Sequence, residues 1–475
     1  MEKTMVTKSK TSETETKIVS STVWSAGAGC HGGCGVNLHI KDGELVKVEG
    51  QESHPYNQGT LCPRALALPE YVHHKDRLMH PLIRRGERGT NTFEQATWEE
   101  ALDLIQNRMN ESRDKYGPES SIFVQGTGRD VGGWLVFLAY NFGSPNWMQA
   151  LPGNSCYHPR LLSMKVAIGD FVVPDNSQCH VDRYDNSEWK LPECYMIWGQ
   201  NPVATCNDGN HGHWIIECLK RGSKFIVIDP NYTWLASRAK LWLPIRPGTD
   251  GALALGMLNV IISEELYDHK FVEKWTTGFD ELRERAKEYP VERVSEITWI
   301  DKDLIVEAAR MYAKAKPAAL QWGVPIDFAP EGFTVAQAIN HLWCITGNVE
   351  NPGGQIVAKP AFGVTSYPMG QDAIEAMYGP MMPKEQQAKR IGVDDFPIVR
   401  DLHWRAQPDA TIDQMLSGKP YPVKSTFVAG SNFVVAAQDP YRWREAFEGM
   451  DFNVVVDLFM TPTAMAIADV VLPSS

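Results

Sequence analysis

From Val36 to Glu49 the chain reads VNLHIKDGELVKVE, with apolar and polar residues alternating on either side of Asp42-Gly43. A period of two around an Asp-Gly pair predicts a β-hairpin, because glycine tolerates the positive φ that a two-residue turn requires. A second small element is expected between Leu61 and Ala67, so the chain to about residue 80 reads as a β-rich module. The pattern then turns helical. Thr97-Trp98-Glu99-Glu100 is a capping box, and Ala101, Leu102, Ile105 and Met109 follow at helical spacing, predicting a helix to about Tyr116. Ser121 to Gln125 (SIFVQ) reads as a buried strand that ends at Gly126-Thr127-Gly128.

The middle of the chain alternates strand and helix. Tyr195 to Trp198 is a strand ending at Gly199-Gln200-Asn201-Pro202, His211 to Arg221 a helix, and Lys224 to Ile228 a strand ending at Asp229-Pro230. Leu241 to Ile245 is a further strand closed by Pro247-Gly248-Thr249, after which Asp250 is placed to cap a helix through Ile262. Later, Ala318 to Gly323 reads as a strand, Thr334 to Ile345 as a helix and Gly347 to Gly354 as a loop. A poorly periodic stretch, Lys359 to Gln414, precedes a last unit with strands at Ser425 to Ala429 and Asn453 to Asp457 and a helix at Pro440 to Glu448. Apolar strands alternating with helices imply an α/β fold of doubly wound parallel sheets, behind the small N-terminal β-rich module.

The length of 475 residues allows two to four domains. With 43% apolar and 22% charged residues the chain is an ordinary globular one. A net charge of −12 without a basic stripe argues against nucleic acid as a partner. The longest nearly apolar run, Gly251 to Ile262, is shorter than the ~20 residues a membrane span needs. Residues 1–22 are polar, hold no apolar stretch of the secretory type and no twin arginine before one, and are expected to be a frayed tail. The expected setting is cytoplasmic, where thiols bind metals more often than they pair.

Nine cysteines are too few for a disulfide scaffold, so their positions carry the information. Cys30 and Cys34 bracket the glycines of CHGGC, and Cys62 follows in LCPR. Thiolates on a Gly-rich turn with one more returning from a hairpin suit an iron–sulfur cluster, which usually takes four cysteines. Three structural thiols are the plainer alternative, and zinc is disfavoured because no tight C-x2-C pair is present. The strand-end loops at Gly199 to Pro202, Asp229-Pro230 and Pro247 to Asp250 would gather beyond the carboxyl ends of a parallel sheet, where such folds bind ligands. Amides and a helix N-terminus there favour phosphate, while Asp229 or Asp250 suits a ribose or a purine edge. No G-x-G-x-x-G fingerprint is present, which disfavours ordinary NAD binding. Cys156, in NSCYH on a turn-rich stretch, is a candidate nucleophile or metal ligand, though an ordinary thiol is the commoner case. Cys179, Cys194, Cys206, Cys218 and Cys344 show no ligand-like grouping and read as packing residues.

Taken together, CHGGCGVNLHIKDGELVKVEG, HPYNQGTLCPRA, GQNP, VIDPNYT, LPIRPGTDGALALGMLNVII, ITGNVENPGG, AGSN and MTPTAMAIADVVLP resemble the molybdopterin-dependent oxidoreductases of the dimethyl sulfoxide reductase superfamily. Within it, KYGPES, GSPNW and the run from Pro247 to Trp299 are most similar to the acetylene hydratase, pyrogallol transhydroxylase and catechol dehydroxylase group. The resemblance implies molybdenum or tungsten held by two molybdopterin guanine dinucleotides. Asn201, Asp229, Thr249 and Asp250, with Gly199, Pro230 and Gly248, would line a guanine-nucleotide site. Cys156 would ligate the metal, and Arg64 would lie between the cluster and a pterin.

The family's cluster motif has four cysteines. Cys30, Cys34 and Cys62 match its last three positions, while Gly27 stands at the first, leaving a three-iron form, another ligand or no cluster open. His31 stands where acetylene hydratase carries its catalytic aspartate. His31 and His158 are the candidate proton donors beside Cys156. The implied domains are a cluster module at 23–80, an α/β domain from 81–165 with 359–475, and a Rossmann-like pterin-dinucleotide domain at 166–358. The chain ends at LPSS, where the family continues into another pterin-binding domain, so a fragment or a completing second chain is expected. The expected function is an anaerobic enzyme that removes or transfers a hydroxyl, or hydrates a small unsaturated molecule. A sulfur- or arsenic-oxyanion reductase and an inactive remnant are the alternatives, and a ferredoxin-like iron–sulfur subunit is the expected electron partner.

Overall fold

The computed structural model describes residues 16–24, 32–126, 129–150, 156–179, 186–205, 211–357 and 377–474. Cys30, His31 and Gly27 lie outside them, as do Cys206, the 127–128 pair and residues 359–376 of the poorly periodic stretch. The chain divides into two compact units, residues 1–77 with 206–210, and the remainder.

In the first unit, β1 (Lys17–Trp24), β2 (Gly33–Lys41) and β3 (Glu44–Gly50) form an antiparallel sheet in that order. The hairpin turn falls at Asp42 and Gly43, with φ of 54° and 86°, as the Asp-Gly pair predicts. β1 corrects the expected tail: Lys17 pairs with Ile40 and the register runs unbroken to Trp24 opposite Gly33. Its sequence hid it because backbone pairing rather than burial holds it. Ile18 is 58% exposed, so the apolar alternation that marks a half-buried strand is missing. The element expected near residue 61 is a single helical turn, Pro63–Leu66.

In the second unit, chain order gives β4 (Leu82–Arg84), β5 (Phe93–Gln95), β6 (Ser121–Gln125), β7 (Trp147–Gln149) and β8 (Val172–Pro174). Then come β9 (Cys194–Trp198), β10 (Lys224–Ile228), β11 (Leu241–Leu243), β12 (Ala318–Trp322) and β13 (Gln355–Val357). β14 (Ser425–Ala429), β15 (Phe452–Asp457) and β16 (Val470–Pro473) complete the set. The larger sheet runs β5-β4-β16-β15-β14-β6-β7, parallel from β16 to β7 with β4 and β5 as an antiparallel edge. The smaller runs β11-β10-β9-β12 and is parallel throughout. The interior strands β6 and β9 are buried on both faces, with Ile122, Met196 and Ile197 at 0% and Phe123 at 1% exposure, so they read as continuous apolar runs.

Three local expectations need correction. The helix Trp98–Tyr116 has the predicted capping box, but it buries Ala101, Ile105 and Met109, at four-residue intervals, and leaves Leu102 half exposed one position off that stripe. β11 stops at Leu243 because Pro244 has no N–H for the ladder. Asp250 is the first residue of the helix Asp250–Ser263 rather than its cap; Thr249 holds the cap position without a side-chain hydrogen bond to the helix.

Candidate functional site

Each parallel sheet reverses its winding once. In the smaller sheet the chain passes from β9 to β10 and β11, then returns to the other side of β9 as β12. The loops after β9 and β12 therefore diverge, and a crevice opens beyond the strand ends. Gly199 ends β9 with φ +58°, its N–H donating to Ile228 O at 2.9 Å. Gly323 ends β12, its N–H donating to Trp198 O at 2.8 Å, and a Cβ on Gly323 would sit 1.9 Å from Gly199 O. Only glycine permits that approach, which keeps the crevice floor flat.

The predicted nucleotide residues meet at this end of the sheet. Asp229 follows β10 and accepts the Asn231 N–H at 2.8 Å, while Trp242 Nε1 donates to its carbonyl at 2.9 Å. Asp250 accepts the indole N–H of Trp198 at 2.8 Å. Burial pushes both carboxyls above the ordinary aspartate range, against the opposing pull of these hydrogen bonds. Asn201 Oδ1 is buried with no hydrogen-bond partner among the described residues. Thr249 spends its hydroxyl on Arg246 O at 2.7 Å, leaving the first amides of the 250–263 helix uncapped. Gly248 and Thr249 line a cavity of about 710 Å³ with Glu331 and His341. An orphaned amide oxygen, two carboxyls raised by burial, uncapped amides and a glycine floor fit a nucleotide with its phosphates.

The larger sheet repeats the arrangement. It switches between β6 and β14, where Gly126 N–H donates to Ala429 O at 3.2 Å and a Cβ on Gly126 would lie 2.2 Å from Gly430 O. Gly430 has φ +57° and donates to Val456 O at 2.9 Å. Gly199-Gln200-Asn201 leads into the helical turn Pro202–Thr205; Gly430-Ser431-Asn432 leads into Phe433–Ala436. Asp229 follows Ile228, and Asp457 follows Val456 with its carboxyl likewise pushed up by burial. The correspondence spans more than 200 residues with little sequence identity, so no scan for short-period repeats finds it.

Cys156 and Tyr157 are both left-handed, with φ of 70° and 67°, and Tyr157 caps the helix His158–Ala167. Left-handed backbone costs a non-glycine residue about 1–2 kcal/mol. Asp327, just beyond β12, holds the turn in place. Its carboxylate accepts the N–H groups of Tyr157 at 2.9 Å and Arg160 at 3.2 Å, and pairs with the Arg160 guanidinium at 2.7 Å, both side chains at most 2% exposed. Arg160 also donates to Trp322 O at 2.7 Å and stacks over Tyr157. His158 Nε2 faces Arg405 Nη1, which also donates to Gln149 Oε1 at 3.1 Å. Guanidinium is only a donor, so His158 accepts at Nε2 and has a proton to give only from Nδ1. Sequence reasoning missed Asp327, Gln149 and Arg405, because each contact spans more than 150 residues.

In the first unit Cys34 lies in β2 opposite Val23, and Cys62 precedes the turn that carries the exposed Arg64. Asn57, 2% exposed, ties their segments together. Its amide accepts from Gly35 N at 2.7 Å and donates to Gly35 O and Thr60 O at 3.0 Å. Among the described residues no three His, Cys, Asp or Glu side chains gather as a metal site. Residues 1–77 carry three cysteines, Cys30, Cys34 and Cys62, where a cubane cluster usually takes four.

Two switch-point crevices and a strained cysteine turn define a doubly wound α/β type of protein. The family model for molybdopterin oxidoreductase matches residues 77–475, that for the molybdopterin oxidoreductase Fe4S4 domain matches residues 20–74, and the chain belongs to this family. It is 32% identical to acetylene hydratase of Syntrophotalea acetylenica over 94% of its own length and 61% of that protein's. It is 28% identical to formate dehydrogenase H of Escherichia coli, over 94% of its own length and 61% of the relative's. The solved structure of acetylene hydratase from Pelobacter acetylenicus matches with a TM-score of 0.81 at 30% identity, covering 95% of this chain and 62% of that one. The chain therefore spans about three fifths of the length of these relatives. No helix among the described residues is long and apolar enough to cross a membrane.

Proposed function

We propose that this chain is the catalytic part of a molybdenum or tungsten enzyme that holds two molybdopterin guanine dinucleotides and acts anaerobically on a small organic substrate. Hydroxyl removal or transfer, or hydration, is the proposed chemistry, by likeness to acetylene hydratase. The observation that carries the cofactor reading is the doubled crevice: Gly-x-Asn, a helical turn and an aspartate whose carboxyl is raised by burial recur at both switch points. Residues 166–358 would form one dinucleotide domain, residues 81–165 with 359–475 the other, and residues 23–80 the cluster module. Each of the first two holds one of the parallel sheets.

When bound, the metal and its dithiolenes supply the electron and oxygen chemistry. Cys156 would ligate the metal as a soft thiolate, in a turn held by Asp327. Gly199, Asn201, Asp229, Pro230, Gly248, Thr249 and Asp250 would hold one guanine nucleotide, the uncapped amides taking phosphate. The proton-donor role falls to His31 and, through Nδ1, to His158. Cys30, Cys34 and Cys62, with Arg64 beside them, would serve whatever cluster forms. A reductive reaction would draw electrons from a ferredoxin-like partner, in a reducing, cytoplasmic setting that keeps the thiolates available.

The test uses the full chain purified anaerobically from a molybdopterin-producing host, assayed on catechols, pyrogallol, acetylene, formate and thiosulfate with a reduced or oxidised dye as needed. Turnover of a phenol or of acetylene supports the reading. Turnover confined to thiosulfate or formate overturns the substrate class.

A further inference from the structure

Cys179 and Cys218 lie 39 positions apart, and their sulfurs are 3.4 Å from each other. Both are buried, at 3% and 0% exposure, among Tyr195, Ile215 and Phe225. Cys179 closes the turn Ser177–Cys179, and Cys218 sits in the helix His211–Arg221. Bonds that do not involve sulfur hold the two segments together. Asp175 anchors the turn by accepting Ser177 N–H at 3.1 Å and Gly353 N–H at 3.0 Å. Arg221, one turn beyond Cys218, donates to Gln178 O at 3.0 Å. The shared hydrogen bond, together with burial, raises the Cys218 thiol; the same bond, with Arg221 nearby, lowers Cys179. Cys179 is thus the readier nucleophile, with a protonated thiol beside it.

We propose that Cys179 and Cys218 are a modification site, a thiol pair that hydrogen peroxide converts to a reversible disulfide. The Cys179 thiolate attacks a peroxide oxygen; the O–O bond breaks, and hydroxide leaves and is protonated to water, so Cys179 becomes a sulfenic acid. Cys218 then gives up its proton and its sulfur displaces the hydroxyl, which departs as a second water. Two thiols are oxidised and one peroxide is reduced to two waters. A disulfide needs about 2.05 Å, so the sulfurs close by roughly 1.4 Å. The ring so formed encloses β9 and the loop Gly199–Asn201, and thereby ties the first crevice to redox state.

The test treats the reduced full chain with one equivalent of hydrogen peroxide, alkylates it under denaturing conditions and maps the peptides by mass spectrometry. The expected result is one cross-linked pair holding Cys179 and Cys218, lost on treatment with dithiothreitol, while Cys194 and Cys344 are alkylated. Thermal unfolding of the oxidised chain shifts upward and returns on reduction. Cys218→Ala removes both signals and leaves a Cys179 sulfenic acid that dimedone traps. Alkylation of both residues after peroxide, or pairing of Cys179 with another cysteine, overturns the proposal. The wild-type map decides it even where the variant fails to fold.

Discussion

Replacing Asp327 by Ala probes how the Cys156 turn is held. Its carboxylate is the acceptor for Tyr157 N–H at 2.9 Å and Arg160 N–H at 3.2 Å, and it neutralises a guanidinium that is 2% exposed. Removing one partner of a buried ion pair costs about 3–5 kcal/mol, because the other charge stays buried without compensation. Two amides lose their acceptor as well, at about 1–3 kcal/mol each if water cannot reach them, though such terms do not add. Asp327→Ala is therefore expected to lose about 3–5 kcal/mol in urea denaturation. The Arg160→Met, Asp327→Leu double variant should lose less than the sum of the two singles, with a coupling of at least about 2 kcal/mol. It should not regain wild-type stability, since the Tyr157 and Arg160 amides still lack an acceptor. A loss below about 1 kcal/mol for Asp327→Ala, or singles that add within about 0.5 kcal/mol, would refute the clamp.

Other consequences can be checked singly. Thr97→Ala removes the hydroxyl that accepts Glu100 N–H at 3.1 Å, while the backbone N–H at position 97 still donates to Glu100, and should cost about 1 kcal/mol, read from the denaturation midpoint. Gly323→Ala drives a methyl to 1.9 Å from Gly199 O, so the two strand ends must part; bound guanine nucleotide per chain should fall even where far-UV dichroism is unchanged. Asp250 has its carboxyl raised by burial, so the folded state favours the protonated form, and the ionised form is a burden at neutral pH. Asp250→Asn, which keeps an acceptor for Trp198 Nε1, should match or exceed wild type in stability at pH 7. The difference should shrink as pH falls through the raised pKa toward the ordinary aspartate value; a gap that widens on acidification contradicts the assignment.

Much of the frame is legible from residues close in sequence. The 98–116 helix announces itself through Thr97 and Glu100, three apart, and the hairpin through Asp42-Gly43. The parallel strands show because burial on both faces demands unbroken apolar runs such as FIVI and YMIW. What is hidden depends on distance along the chain or on backbone alone. β1 carries no apolar stripe, since hydrogen bonds to β2 hold it. Leu102 sits on the wrong face by one position. The partners of the Cys156 turn, Asp327 and Arg405, come from other parts of the chain, and the Cys179–Cys218 contact joins a turn to a helix. The two crevices share glycine geometry rather than a motif, so their likeness appears only once the strand order is known.

The doubled crevice is tested most directly by the nucleotide and metal content of the anaerobically purified chain. Acid hydrolysis with chromatography, alongside elemental analysis, should release two guanosine monophosphates per chain for each molybdenum or tungsten. One nucleotide per metal, a different base, or no nucleotide at all would contradict the account.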